Sequence, residues 1–403
     1  MSFSWALVIV LAVAVPRAYA FDPSPAAKKV DLSGQFPDAA CRDQGALGAC
    51  HSFAATGLLE AAVFRRHGAA GADGGRLRLS EADLFVLKIS AGWYYSNLRT
   101  YLDQGLSVPE AFTAAEGGTL KTDLTLALRD GVCSEDVAPW KLVTQRYEEL
   151  RARREKAMQG KLSAAGFPTD RGPGDIGRRL RDAPDVIEIA RRMEADAAAG
   201  LAALSADQSR GYSDSLSGIR AASLQLAQSR SRQAESGAHA ALSFADFIKE
   251  ASAVNSRQTS EILLGDDPRI GRERERVRGL FQGFTGDVAP FARSSGLLSG
   301  PNCFKSGAPQ REKILSWLER GIPAGVSMDL TGLSAWGQGG ALKPVGHAFV
   351  ISGYERGPAG YVFKTRNSWG GKNPAVSEDQ LCRVVAVAAV LTPNEKDPVA
   401  MRR

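Results

Sequence analysis

The sequence has little of what metal-binding and nucleic-acid-binding proteins need. It holds four histidines and five cysteines, and none of them falls at the paired spacing of a metal site. The net charge is +6 and the pI is near 9.1, but the arginines are interleaved with Asp and Glu, and no basic stripe carries stacking aromatics. We therefore expect no metal, no other cofactor and no nucleic-acid partner. With 44% hydrophobic and 23% charged residues, the composition is typical of a globular protein.

Long apolar runs are also missing, apart from one near the N-terminus. The run WALVIVLAVAV (Trp5–Val15) is short for a bilayer span and is followed by Ala18-Tyr19-Ala20, a small-x-small cleavage pattern. We predict that residues 1–20 are a signal peptide and that the mature protein is secreted or periplasmic, with no membrane contact beyond export. No Lys or Arg precedes the run, which leaves an uncleaved membrane anchor as the alternative.

Cysteine is scarce and odd in number. In an oxidising compartment four of the five cysteines should pair, and Cys50 is the candidate for the unpaired one. The other four allow three pairings, among which the sequence does not choose. If each half of the chain is closed by its own bridge, the disulfide bonds are Cys41 with Cys133 and Cys303 with Cys382.

Composition and the spacing of apolar residues divide the chain after the predicted signal peptide into three regions. Residues 21–142 have helical patterns, including a helix that starts near Cys50 and one that starts at Ser80, the cap of LSEADLFVLK. Residues 143–295 are rich in Ala, Arg, Ser and Gln, with apolar residues at helical spacing. Residues 296–403 contain short apolar runs broken by glycine, such as GHAFVISGYE, which predict strands.

Cys50 lies at the predicted start of a helix, in DQGALGACHSF (Asp43–Phe53). A thiol attacks a carbonyl as the thiolate, and a helix N-terminus together with a nearby imidazolium lowers the thiol pKa enough to supply it. The pattern favours a nucleophile. A buried thiol that only fills space is the plainer interpretation.

One histidine is better placed than the others to act with Cys50. His51 is adjacent in sequence, but neighbouring side chains diverge along a helix, so it is a poor base for Cys50. His67 ends a helix and His239 lies in the polar middle region, which favours surface roles. His347 stands at the entry to an apolar strand, twenty residues before Asn367.

These residues together resemble the papain family of cysteine proteases (cathepsin-like peptidases). Gln44-Gly45 precedes Cys50 at the family's spacing, His347 stands in an apolar strand, and Asn367-Ser368-Trp369-Gly370 follows on the next one. The likeness covers both ends of the chain and omits the middle. Three short motifs in this order and spacing are specific, although each alone is weak.

The resemblance implies a role for each matching residue. Cys50 would be the nucleophile, His347 its proton-transfer partner, Asn367 the group that orients the imidazole, and Gln44 a donor to the oxyanion. Trp369 would shield the contact between histidine and asparagine from water. The substrate-binding positions implied are Gly117, Gly118, Gly346, Ala348 and Trp369, and a plain turn is the alternative for the two adjacent glycines.

The chain departs from the family pattern in three respects. His51 and Leu47 stand where the family usually has Trp and Cys, and His51 is expected to alter the wall of the cleft or the pH response. About thirty residues separate Ala20 from Cys50, where the family has a long propeptide. The region 143–295 is expected to be an insertion. It either decorates the surface or forms a helical flap that covers the cleft, restricts substrates to chain ends or binds a protein partner.

We predict an α+β, papain-like fold of two lobes, one helical and one resembling a β-barrel, with a helical insertion between them. The predicted function is an exported cysteine-type peptidase that hydrolyses peptide or protein substrates through a thiolate–imidazolium pair and an acyl-enzyme. One alternative is a papain-like acyl or amide transferase. The other is a non-catalytic binding protein that uses the insertion.

Overall fold

The structure, a computed structural model, describes residues 29–38, 42–68, 76–90, 92–164, 255–291, 307–330, 346–370 and 373–395. The helices are α1 (Cys50–His67), α2 (Glu81–Ser90), α3 (Gly92–Asp103), α4 (Val108–Glu116), α5 (Leu120–Asp130), α6 (Trp140–Ala164), α7 (Asn255–Leu264), α8 (Pro268–Leu280) and α9 (Ala308–Leu318). The strands are β1 (Lys29–Asp31), β2 (Thr285–Pro290), β3 (Ala324–Asp329), β4 (Gly346–Gly357), β5 (Gly360–Arg366), β6 (Val376–Ser377) and β7 (Val384–Leu391).

The strands form one antiparallel sheet in the order β2-β7-β3-β4-β5-β6, and β1 pairs with β4. Helices α2, α3, α4, α6 and α7 bury a separate apolar cluster of their own. The predicted α+β class is therefore confirmed, with a helical region beside an antiparallel sheet. The helix predicted near Cys50 begins at Cys50, and the strands predicted after residue 296 are β3, β4 and β5.

Helix α1 packs between the helical region and the sheet. Its buried face includes Leu58 and Leu59, which share a cluster with Val350 of β4 and with residues of β7. Burial of each leucine stabilises the fold by about 1.5–3 kcal/mol. The helix comes so close to β3 that a Cβ at Gly325 would lie 2.7 Å from Cδ1 of Leu58. This close packing places the N-terminus of α1 beside the start of β4.

The described parts of the region 143–295 pack into the rest of the fold. Helix α6 packs against α4, and α7 packs against α2. Helix α8 packs on α5, and β2 pairs with β7 along its full length. The helical prediction thus holds for α6, α7 and α8, while β2 is a strand. Residues 165–254 lie outside the described residues, so an insertion and a partner for it stay predictions.

The prediction that Cys41 pairs with Cys133 is wrong. Cys133 is a free thiol with no exposed surface, and burial is the largest cause that raises its pKa. The nearby Asp83 carboxylate adds to the effect, so this thiol has a structural role in the helical core. Cys303 lies outside the described residues, and its pairing with Cys382 stays a prediction.

Two sequence predictions concern segments that the structure does not cover. The signal peptide, residues 1–20, lies outside the described residues, as does His239. Within the parts of the chain that are described, no helix has both the length and the apolar character of a bilayer span. Export and a secreted or periplasmic location stay predictions.

Candidate active site

His347 and Asn367 meet at one end of two paired strands. His347 is the second residue of β4, and Asn367 follows the last residue of β5. The antiparallel register pairs Val350 with Arg366, which places Asn367 beside the start of β4. The Nε2 atom of His347 lies 2.6 Å from Oδ1 of Asn367, and both side chains are almost fully buried.

This contact determines which imidazole nitrogen carries a proton. The Oδ1 atom of Asn367 also accepts the backbone N–H of Ser368 at 2.8 Å, which identifies it as the amide oxygen. An amide oxygen only accepts hydrogen bonds, so Nε2 of His347 is the donor. In the neutral ring, Nδ1 is then the basic nitrogen.

Trp369 covers the histidine. Its ring stacks on the imidazole of His347 with centroids 4.1 Å apart and an interplanar angle of 27°. The indole is half-buried, so it separates the imidazole from solvent on that face. Shielding of the contact between His347 and Asn367 from water, which the resemblance implied, stays a prediction.

The loop before α1 is attached to the segment that carries Asn367. The backbone N–H of Gln44 donates to Ser368 O at 2.9 Å, and Asp43 forms an isolated antiparallel bridge with Trp369. The hydroxyl of Ser368 donates to Oε1 of Gln44, which fixes the orientation of the amide. Its Nε2 then donates to Leu47 O at 2.7 Å, within the loop that leads to Cys50.

A buried ion-pair cluster anchors the same loop. Arg42 donates to Glu81 on α2 and, at 3.0 Å, to Glu60 on α1. Burial raises the pKa of Glu81 to about 8, and the charge of Arg42 opposes that rise. The guanidinium thus joins this loop to the middle of α1 and to the first residue of α2.

Cys50 is the first residue of α1 and is half-buried. The N-cap residue Ala49 makes no side-chain cap and the first turn holds no acidic residue, so the helix dipole favours an anion at this end of α1. A backbone hydrogen bond from Ala348 reaches Cys50 and favours its thiolate. Cys50 therefore contacts the residue that directly follows His347.

Burial disfavours the charged forms of both Cys50 and His347. It is the largest effect on Cys50, where it raises the pKa, while backbone hydrogen bonds and the charge of Lys88 oppose it. Burial also lowers the pKa of His347 to about 4, with the hydrogen bond to Asn367 opposing the change. The surroundings thus favour a neutral thiol and a neutral imidazole in the resting protein.

The predicted substrate-binding positions lie in three places. Gly117 caps the C-terminus of α4 through its N–H to Ala114 O, and Gly118 is exposed and covers the ring of His51. Gly346 is exposed at the start of β4, and Ala348 is buried on the face toward α1. Both interpretations of the glycine pair stay open, and contact of these positions with a substrate stays a prediction.

Sequence reasoning missed a second group of polar residues behind Cys50. His51 is only 1% exposed, and its Nδ1 lies 2.6 Å from Oδ2 of Asp123. The Nε2 atom of His51 lies 3.0 Å from Nζ of Lys88. The signal for this group was present in LFVLKIS, where Lys88 interrupts an apolar helical run. In the described parts of the chain, no cluster of three or more His, Cys, Asp or Glu side chains is suited to hold a metal ion.

Comparison with known proteins finds only distant structural likeness. No protein family profile matches the chain, and no curated protein does. The digestive procathepsin L 3 of Tenebrio molitor larval midgut is 11% identical, with a TM-score of 0.40 over 92% of this chain and 72% of that one. PepW from Lactobacillus rhamnosis HN001 is 13% identical, with a TM-score of 0.43 over 94% of this chain and 84% of that one.

Proposed function

We propose that the chain is a papain-like cysteine peptidase that hydrolyses peptide bonds through an acyl-enzyme on Cys50. The observation that carries the proposal is the junction of α1 with β4. Cys50 contacts Ala348 there, and the preceding His347 is oriented by Asn367 and covered by Trp369. A nucleophile, a base and a group that orients the base are the parts that such catalysis requires.

The protonation states support a base-assisted mechanism. Because Nε2 of His347 donates to Asn367, Nδ1 is the atom that would accept the thiol proton as sulfur attacks the carbonyl carbon. The same imidazolium would then give that proton to the leaving amine. Water, activated by the neutral ring, would hydrolyse the acyl-enzyme and restore the thiol.

Gln44 is the candidate side-chain donor to the oxyanion. Its amide is fixed by Ser368 and by Leu47 O, so little reorganisation would accompany the reaction. Loss of one such donor costs about 3 kcal/mol of barrier, or roughly 10²-fold in kcat. A Gln44→Ala variant should therefore lose hydrolysis while Cys50 still reacts with a small alkylating reagent.

The direct test uses a peptide library and a peptidyl epoxide with the purified chain. We expect hydrolysis of peptides and covalent labelling at Cys50, located by mass spectrometry of the digested protein. Cys50→Ala should abolish both. Cys133→Ala is the matched control, because Cys133 is the second free thiol of the described residues and lies in the helical core.

The outcomes separate the three functions considered from the sequence. Products that carry an added amine would indicate an acyl or amide transferase. An unreactive Cys50 with no cleavage of any peptide would contradict the enzymatic proposal and favour a binding protein. Labelling at Cys50 together with hydrolysis that survives Cys50→Ala would assign the chemistry to another residue.

A further inference from the structure

Glu116 is a buried carboxylate at the end of α4, directly before the glycine pair formed by Gly117 and Gly118. Its side chain is 0% exposed, and the proposed reaction gives it no part. Glutamate is almost never fully buried unless it is paired, so its partners show what it holds together. Its Oε2 atom accepts the backbone N–H of Gly48 at 3.2 Å, two residues before Cys50. The carboxylate thus joins the end of α4 to the loop that carries the nucleophile.

This loop and the end of α4 are also in close contact. A Cβ at Gly48 would lie 3.1 Å from Cβ of Glu116 and 3.3 Å from the backbone nitrogen of Gly117. The imidazole of His51 spans the same contact, with its Nε2 atom 2.9 Å from Gly48 O and 3.1 Å from Glu116 O. The position of the glycine pair relative to Cys50 is therefore set at this contact.

The counter-ion of Glu116 comes from α6. Arg151 donates to Oε1 of Glu116 at 2.7 Å, and the hydroxyl of Tyr147 donates to the same atom at 3.0 Å. The two donors are four residues apart, so they lie on one face of the helix. Burial raises the pKa of Glu116, and the charge of Arg151 is the largest effect that opposes the rise. Without α6 the carboxylate would lose its cation and one hydroxyl donor.

The two donors on α6 are themselves held in place. The Nε atom of Arg151 donates to Glu155 one turn further along α6 at 2.6 Å, and Nη2 donates to the Thr113 hydroxyl on α4 at 2.8 Å. Tyr147 is 1% exposed, and its ring meets that of Phe85 edge to face with centroids 5.1 Å apart. The guanidinium therefore ties α6 to α4 in one orientation.

The glycine pair next to this contact has the backbone geometry of a peptide-binding edge. Gly117 is extended, with φ −57° and ψ 158°, and Gly118 is exposed. An extended peptide can pair with such a segment through main-chain hydrogen bonds. Hydrogen bonds weaken outside a narrow range of distance and angle. Groups that fix the end of α4 therefore bear on the affinity for substrate.

We propose that Arg151 is a positioning residue for the substrate, acting through its ion pair with Glu116. The ion pair, with the Tyr147 hydroxyl as a second donor, holds the glycine pair against the loop of Cys50. This inference rests on the proposed function, in which a peptide substrate lies beside Cys50. Helix α6 belongs to the part of the chain that the family resemblance omits, and here it supports the substrate site through a buried ion pair.

The test measures peptide binding in the Cys50→Ala chain, which holds a substrate without turning it over. A peptide is selected from a library by its binding to this variant, and its Kd is measured by calorimetry with and without Arg151→Met. We expect Kd to rise about tenfold, roughly the value of one hydrogen bond. Arg151→Lys keeps a charge beside Glu116 and should restore part of the affinity. Arg153→Met is the matched control, because Arg153 is exposed on the same helix, and its Kd should be unchanged.

Kinetics with the intact thiol separates positioning from a merely structural role. Arg151→Met should raise KM for the peptide about tenfold and leave kcat nearly unchanged, because the lost support affects bound substrate and transition state alike. Partial unfolding would instead lower the apparent kcat without changing KM. Alkylation of Cys50 by iodoacetamide does not use the glycine pair, and its rate should stay native.

Tyr147→Phe is the second variant, in case Arg151→Met does not fold, because it removes one hydroxyl and keeps the aromatic ring. We expect a rise in Kd of about threefold. Equal peptide affinity in folded Arg151→Met, or in Tyr147→Phe where Arg151→Met does not fold, would overturn the inference, as would a library without a binder. Weakened peptide binding in these variants, in a chain that hydrolyses no peptide, would count against the peptidase function and leave this inference standing.

Discussion

Lowering the pH from 7 to 4 should destabilise the native chain more than a His347→Gln variant. Burial lowers the pKa of His347 to about 4, whereas the unfolded chain takes up the proton near 6.5. As the pH falls between these values, the unfolded state binds a proton that the folded state does not. The stability that the neutral imidazole contributes is complete above pH 6.5 and is lost as the pH falls through about 4.

The size of the effect follows from the two pKa values. Each pH unit between them is worth about 1.4 kcal/mol, so the change from 6.5 to about 4 corresponds to about 3 kcal/mol of unfolding free energy. The buried carboxyl groups of Glu60, Glu81 and Glu116 titrate in both proteins. Their contribution cancels when the pH dependence of the variant is subtracted from that of the native chain.

Urea unfolding at pH 7 and at pH 4 measures this difference, and NMR titration of the His347 ring measures its origin. The reasoning is refuted if the ring titrates at pH 6.5 or above, or if both proteins lose the same stability. A ring that titrates well above 6.5 would mean that a thiolate stabilises the imidazolium in the resting protein. The predicted thiolate–imidazolium pair would then be the ground state.

Three further substitutions, one of them with a control on α8, test the packing around the site. A Cβ at Gly118 would lie 2.9 Å from the ring of His51, so Gly118→Ala should lower the unfolding free energy by about 1–3 kcal/mol. Gly271 in α8 has open space around it, so the control Gly271→Ala should raise the unfolding free energy by about 0.5–1 kcal/mol. Equal urea midpoints for the two variants would contradict this prediction. Arg42→Met should cost about 3–5 kcal/mol, because it removes the guanidinium that the buried groups of Glu60 and Glu81 share, and a loss below about 1 kcal/mol would disprove the anchoring role. Trp369→Ala exposes the imidazole of His347 and should raise its pKa toward the ordinary value; an unchanged NMR titration would show that the indole does not exclude water.

Much of the local structure was predictable because it depends on neighbouring residues. The helix at Cys50 begins where the glycine-containing loop gives way to an apolar, alanine-rich segment, and Ser80 caps α2 through a 3.0 Å bond from the N–H of Asp83. The pairing of Cys133 could not be inferred in the same way. A disulfide depends on the distance between remote segments, and Cys133 is enclosed by the helical core.

His51 shows the same limit within the site. Its adjacency to Cys50 predicts that the two side chains diverge along the helix, and on that ground it was excluded as the base. Its partners Lys88 and Asp123 are far from it along the chain, because they lie on α2 and α5. Only the packing of three helices revealed that the ring joins a buried cation to a carboxylate.

The sequence by itself determined the kinds of element and the reactive groups that each one carries: a thiol at a helix start, a histidine at the entry to a strand, and an asparagine after the next strand. The tertiary structure decided which of these groups touch and what charges they bear. The register of β4 and β5 brings His347 to Asn367, and burial sets the pKa of His347 and Lys88. The physical reason is that helix and strand preferences act over a few residues, whereas desolvation and hydrogen bonding between distant segments exist only once the chain has folded.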